Sequence, residues 1–172
     1  MKKQKTSAKT VALMAMMIAL ALVFGYVETL IPINFGIPGV KLGLANLVIV
    51  AVIYLFGGKE ALLVSVVRIF LSGFMFGNLA SIMYSLAGGL LSLAVMLLLK
   101  KTDKLSILAV SVMGGICHNI GQLIVAMLVV ENLKLIFYVP VLLISGFVTG
   151  LLIGVLCRVI LPAVKRAYES GR

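Results

Sequence analysis

Several polar side chains of types that bind small molecules lie inside long apolar stretches of this sequence. Arg68 is the clearest case, because a guanidinium group deep in an apolar segment needs a carboxylate, carbonyl groups or an anionic ligand beside it. His118 and Gln122 are four residues apart and therefore share one face of a helix. The acidic residues are few, and Glu28 is the one that we expect in the same half of the protein as Arg68. The pattern predicts either an Arg68–Glu28 pair or a site for an anion, with Lys41 as a second cation.

The in-span amides, the imidazole and an aromatic hydroxyl gather in the half of the chain that we expect to face outward. Each could also be a hydrogen bond between helices, and for any single residue both interpretations stay open. For the set as a whole, a ligand pocket is favoured, roofed by the Pro/Gly-rich segment 31–42. The candidate substrate-binding residues are Asn34, Lys41, Asn46, Arg68, Tyr84, His118, Asn119 and Gln122.

The sequence lacks the motifs of several kinds of catalytic and binding site. It contains no paired-aspartate motif for Mg²⁺ and diphosphate, no HExxH and no GxxxxGK[ST]. With one histidine and five acidic residues, we expect no metal site, no cofactor and no catalytic residue, so that the protein is not an enzyme. The formal charge of +10 does not indicate nucleic acid, because basic residues beside apolar stretches are typical of cytoplasmic loops.

The composition predicts that these side chains are positioned by helices within a lipid bilayer. Hydrophobic residues make up 63% of the 172 residues, charged residues only 12%, and the mean hydropathy is +1.26. A soluble domain holds roughly 25% charged residues. We therefore predict an all-α integral membrane six-helix bundle forming one domain over residues 1–172. The expected spans are residues 11–30, 42–56, 61–76, 79–99, 105–130 and 135–161.

The distribution of basic residues predicts the orientation of these spans. If the N-terminus is cytoplasmic, 12 of the 15 Lys and Arg residues fall on the cytoplasmic side. We accordingly expect both termini in the cytoplasm of a multi-pass cell-membrane protein in contact with lipid. The basic start followed by Ala19-Leu-Ala21 also resembles a signal peptide, but the apolar run continues past Ala21, so we expect the segment to be retained.

Two patterns of small residues indicate close helix packing. Gly146, Gly150 and Gly154 recur at four-residue spacing in the last span, and we expect them to pack within the bundle. The first span carries small residues at similar spacing, and these suit either internal packing or docking of a partner helix. They are Ala8, Ala12, Ala15 and Ala19.

The nine residues Pro38-Gly-Val-Lys-Leu-Gly-Leu-Ala-Asn46 resemble the signature of the Gx transporter family, also labelled heptaprenyl diphosphate synthase component I. The resemblance extends over nearly the whole chain. The six spans and the alanine spacing of the first one are also similar to the substrate-binding S components of energy-coupling factor vitamin transporters. That resemblance implies a membrane-embedded binder for a small vitamin-like or anionic precursor. Its first helix would dock on a transmembrane coupling subunit that works with two ATPase subunits.

The synthase label suits the sequence less well. Prenyl chain elongation by that class of enzyme uses aspartate-rich Mg²⁺ sites, and this chain has one aspartate, Asp103. The alternative function is therefore a non-catalytic membrane subunit of heptaprenyl diphosphate or menaquinone synthesis. A self-contained secondary carrier is less favoured, because we expect no intramembrane acid for coupling to protons or sodium.

Overall fold

A computed structural model describes residues 8–30 and 43–170, and within these ranges the regular structure is entirely helical. The elements are α1 (Ala8–Leu30), α2 (Asn46–Leu55), α3 (Gly58–Phe76), α4 (Leu79–Lys101), α5 (Ile107–Val129), a 3-10 helix (Leu133–Tyr138) and α6 (Val139–Ser170). Six α-helices are thus described where six were predicted; most boundaries differ by up to four residues, and α6 ends nine residues later than predicted.

Four segments of the described chain are long and apolar enough to cross a membrane. They are Thr10–Leu30, Leu79–Lys101, Ile107–Val129 and Leu133–Arg166, and they match the first, fourth, fifth and sixth predicted spans. The protein therefore has the helices of a membrane protein.

The second and third predicted spans differ from these four. Helix α2 has only 10 residues, which at 1.5 Å per residue gives about 15 Å, half of the hydrocarbon thickness of roughly 30 Å. Helix α3 has 19 residues but includes Lys59, Glu60 and Arg68, so it is less apolar than the four long segments. The predicted span over residues 42–56 is therefore a half-length helix.

Glycines set the close approach of α5 and α6, the most extensive helix contact in the structure. A Cβ atom on Gly146 would lie 2.8 Å from Gly115 O, and one on Gly150 would lie 2.7 Å from Val112 Cα. A Cβ atom on Gly154 would lie 2.9 Å from Leu108 Cα. Only glycine allows backbones this close, which confirms the predicted internal packing of the four-residue glycine repeat.

Helix α4 packs on the other side of α5 in the same manner. A Cβ atom on Gly121 would lie 2.8 Å from Ala87 O, and one on Gly88 would lie 2.6 Å from His118 O. Helix α3 in turn packs against α4 and α1. The short α2 is placed between α1, α3 and α6, where nearly all of its residues are buried or half-buried.

Polar contacts fix both ends of α2. Just before its start, Gly43 adopts φ +81°, a conformation that favours glycine. The Gly43 carbonyl oxygen accepts a hydrogen bond from the backbone N–H of Asn46 at 2.8 Å. Near its end, Lys100 Nζ donates to Ile53 O at 2.6 Å and lies 4.8 Å from the centre of the Tyr54 ring. The first residue of α2 is thereby held in the interior of the protein.

Candidate functional site

Arg68 lies near the middle of α3 and is buried, with 9% of its surface exposed. Its Nη2 donates to Asn46 Oδ1 at 3.3 Å, a long hydrogen bond between α3 and the first residue of α2. Its Nε is buried and has no hydrogen-bond partner within the described ranges. The guanidinium group therefore retains hydrogen-bonding capacity in the interior.

Glu28, near the end of α1, is the second buried charged residue among the described ones. Its Oε1 accepts a hydrogen bond from the Gly43 amide at 2.5 Å, and its charge acts electrostatically on Arg68. Glu28 thus contributes to neutralising Arg68, while the hydrogen bond of the guanidinium group goes to Asn46. Glu28, one of the predicted partners of Arg68, thus acts on it electrostatically, whereas the hydrogen bond to Asn46 was not predicted.

A small cavity of about 10 Å³ lies beside Asn46, between α2, α4, α5 and α6. This is room for about one water molecule. The cavity brings together three of the predicted residues, Asn46, His118 and Asn119. The remaining lining residues are Val50, Ser92, Met96, Ser111, Gly114, Gly115, Thr149 and Ile153.

Gln122 follows His118 by one turn of α5, and both side chains lie against α4. A Cβ atom on Gly88 would lie 2.8 Å from Gln122 Cγ and 3.1 Å from His118 Nδ1. Gln122 is 1% exposed, and neither Oε1 nor Nε2 of its amide has a hydrogen-bond partner in the part of the chain that the structure describes. Such a fully buried amide costs about 1–3 kcal/mol for each unsatisfied group.

The other predicted residues have different surroundings. Asn119 donates through Nδ2 to Leu142 O at 2.9 Å, so its amide also joins α5 to α6. Tyr84 is buried on α4 but does not line the cavity. Asn34 and Lys41 lie outside the described residues, so the predicted roof of the pocket does too.

Three hydroxyl side chains of the cavity were not among the site residues predicted from the sequence. Ser92 and Ser111 are buried, and Thr149 is half-buried. Ser111 Oγ donates to Gly150 O at 2.8 Å, whereas Ser92 Oγ has no partner among the described residues. Their signal was available, since Ser92 and Ser111 each lie four residues from a glycine, Gly88 and Gly115, that packs between helices.

The alanine residues of α1 lie on its exposed side. Met14, Met17 and Ala21 pack into the core, whereas Ala12, Ala15 and Ala19 are exposed. Ala8 begins the helix, and its side chain lies outside what the structure describes. The side of α1 that carries the alanines is thus available to lipid or to another helix.

No group of three or more His, Cys, Asp or Glu residues among the described residues could hold a metal ion. Cys157 is buried, and its thiol donates weakly to Leu47 O at 3.6 Å, which is a packing contact between α6 and α2. The described site offers hydrogen-bonding groups and one buried cation, Arg68.

Comparison with known proteins gave one family. A model described as heptaprenyl diphosphate synthase component I matches residues 17–160, which include all of the described site residues. No curated protein and no solved structure matches the chain.

Proposed function

The chain belongs to the family of heptaprenyl diphosphate synthase component I, and we propose that it is the substrate-binding membrane component of an uptake transporter. In this proposal it resembles the S components of energy-coupling factor transporters. It captures a small vitamin-like or anionic precursor from outside the cell, and both of its termini are cytoplasmic. A transmembrane coupling subunit with two ATPase subunits drives the release of the substrate inside.

The observation that carries the proposal is a buried polar site enclosed by apolar helices. Arg68, Asn46 and His118 come from three different helices and meet where the surrounding interior is apolar. Polar groups at membrane depth are costly, and by default they indicate a functional site. A site that only joined helices would not need an arginine whose Nε has no hydrogen-bond partner among the described residues.

The exposed face of α1 supports the proposed association with a coupling subunit. Small residues let helix backbones approach closely in lipid, as the glycines of α5 and α6 do here. Ala12, Ala15 and Ala19 offer the same kind of surface on the outside of α1. We propose this face as the docking site for a helix of the coupling subunit.

The chemistry of the site also supports a non-catalytic protein. Asp103 is the one aspartate of the chain; it lies exposed after the end of α4 and does not line the small cavity. Prenyl transfer between diphosphates needs carboxylates that hold Mg²⁺. We therefore propose binding and transport rather than synthesis as the activity of this chain.

A co-purification experiment tests the proposed association. Tagged protein is extracted from its native membranes, and its partners are identified by mass spectrometry. We expect a coupling subunit and ATPases with the wild type, and their loss when Ala15 and Ala19 are both changed to leucine. The matched control is Ala94→Leu, an exposed alanine on α4, which we expect to keep the partners. Unchanged assembly in the double variant would refute the docking face.

A second function is favoured by the family description together with a groove. Between α1, α2 and α6 lies an apolar groove of about 130 Å³. It is lined by Met17, Leu20, Phe24, Leu47, Val48, Ala51, Leu55, Cys157, Ile160, Leu161 and Val164. A prenyl chain suits such a surface, so the alternative is a non-catalytic subunit of heptaprenyl diphosphate or menaquinone synthesis. Co-purification of a prenyltransferase in place of ATPases would favour it.

A further inference from the structure

The side-chain amide of Gln122 is buried without a hydrogen bond to any described residue. It is 1% exposed, and neither its oxygen nor its nitrogen has a hydrogen bond in the described part of the chain. The neighbouring amides differ, because Asn119 donates to Leu142 O and Asn46 accepts from Arg68. A leucine of similar size would fill the same space without this cost. The contacts of the amide with the described residues therefore give no reason for a glutamine at this position.

Polar neighbours connect Gln122 to Arg68, although neither of these two side chains lines the small cavity. Arg68 is hydrogen-bonded to Asn46, and a Cβ atom on Gly43 would lie 3.1 Å from Asn46 Nδ2 and 3.9 Å from His118 Cδ2. His118 and Gln122 in turn flank Gly88 of α4. Polar side chains thus run from the guanidinium group on α3 to the amide on α5, with the small cavity beside them.

The charge of the site limits the kind of anion that it accepts. Arg68 is the one cation buried among the described residues, and the negative charge of Glu28 acts on it. A dianionic phosphate would be repelled by Glu28 and would need further cations, whereas one carboxylate can take the Nε edge of a single guanidinium group. The long bond to Asn46 Oδ1, at 3.3 Å, is readily exchanged for a charge-assisted one.

We propose that the site binds a small monocarboxylate that also carries a lactam or ureido edge, with the carboxylate on Arg68 and the edge on Gln122. A primary amide presents one acceptor and one donor side by side, and a cis N–H/C=O edge pairs with both. The backbones of α4 and α5 are in direct contact at Gly88 and Gly121, so there is no room for a ligand between these two helices in the present structure. Because the cavity holds about one water molecule, the helices separate when this ligand enters. The inference names the substrate class of the proposed uptake protein and rests on that function.

The first test measures stability without ligand. We expect Gln122→Leu to raise the midpoint of thermal unfolding in detergent, because it removes two unsatisfied groups. Asn119→Leu, three residues away on the same helix, is the matched comparison, and we expect it to lower the midpoint because it leaves Leu142 O without its donor. A lower midpoint for Gln122→Leu would show that the amide is satisfied within the protein, and the proposal would be overturned.

The second test measures binding of three probes to the purified protein by titration calorimetry. Orotate carries both a carboxylate and cis N–H/C=O edges, uracil has the edge alone, and benzoate has the carboxylate alone. We expect orotate to bind about tenfold more tightly than either partial probe, since a lost contact to a buried polar group costs a factor of roughly five to one hundred. We expect Gln122→Leu to reduce orotate binding to the level of benzoate, and Arg68→Gln to reduce it to that of uracil.

The outcomes separate this proposal from the proposed function. If orotate binds no better than benzoate, or if Gln122→Leu leaves orotate binding unchanged, the assigned substrate class is wrong. Native mass spectrometry of wild-type protein provides an independent reading, and a retained small molecule without a carboxylate also refutes the class while leaving the uptake function intact. Loss of the uptake function itself would appear as the absence of coupling and ATPase subunits in the co-purification.

Discussion

Replacing Gly115 by alanine tests whether backbone contact between α5 and α6 holds the site together. A Cβ atom at this position would lie 2.4 Å from Gly146 O and 3.2 Å from Gly150 Cα. These are backbone atoms and cannot rotate away, so the two helices must separate by about 1 Å to restore van der Waals contact. Overpacking of this kind costs about 1–3 kcal/mol.

Two further terms enter the estimate. Separation of the helices weakens the hydrogen bond from Ser111 Oγ to Gly150 O, which is worth about 1 kcal/mol. Alanine in a helix gains about 0.5–1 kcal/mol over glycine, which offsets part of the loss. We therefore expect Gly115→Ala to lower the free energy of unfolding by about 1–3 kcal/mol.

Gly25→Ala is the matched control, because Gly25 is also inside a helix and no described atom lies within 4 Å of its Cβ position. We expect this variant to be as stable as the wild type or more stable by up to about 1 kcal/mol. The measurement is unfolding of the purified protein in mixed micelles with increasing sodium dodecyl sulfate, followed by circular dichroism. Equal midpoints for Gly115→Ala and Gly25→Ala would refute the close packing on which the site depends.

Three smaller changes probe the site itself, each by the same unfolding measurement. Glu28→Gln keeps an acceptor for the Gly43 amide but removes the charge near Arg68, and we expect a loss of about 1–3 kcal/mol; unaltered stability would show that Glu28 does not stabilise the buried cation. Gly43→Ala forces alanine into φ +81° at 3.1 Å from Asn46 Nδ2, and we expect a loss of about 1–2 kcal/mol; a gain would contradict the assigned backbone conformation. Ser111→Ala removes the hydrogen bond to Gly150 O, and we expect a loss of about 1 kcal/mol, so an unchanged midpoint would show that this bond contributes nothing to the packing of α5 on α6.

The sequence predicted the helices well because apolar length is a strong signal in a membrane protein. The four long segments follow from composition alone, and the glycine repeat of α6 correctly indicated close packing. The length of α2 was overestimated, because Leu44 and Ala45 are apolar residues of the kind found in helices, although they lie in a turn before α2 begins at Asn46. Helix periodicity does not mark where a helix begins when polar capping residues are absent.

Several residues of the candidate site were predicted from the sequence, but the hydrogen bonds between them were not. Arg68 and Asn46 were both chosen for their polarity, yet their hydrogen bond joins residues 22 apart and depends on where α2 begins. The cavity hydroxyl groups of Ser92 and Ser111 were missed, because serine is common in membrane helices and becomes informative only once its neighbours are known. The stability or function of single polar residues thus depends on tertiary contacts that spacing does not encode.

The half-length of α2 has a consequence for how the chain enters the membrane during synthesis. A segment of 10 residues is too short to be inserted as an independent span, and the charges of α3 make that helix a weak insertion signal. We therefore expect α2 and α3 to enter a bilayer together and to depend there on packing against α1 and α4. Membrane insertion would then be cooperative across the first four helices.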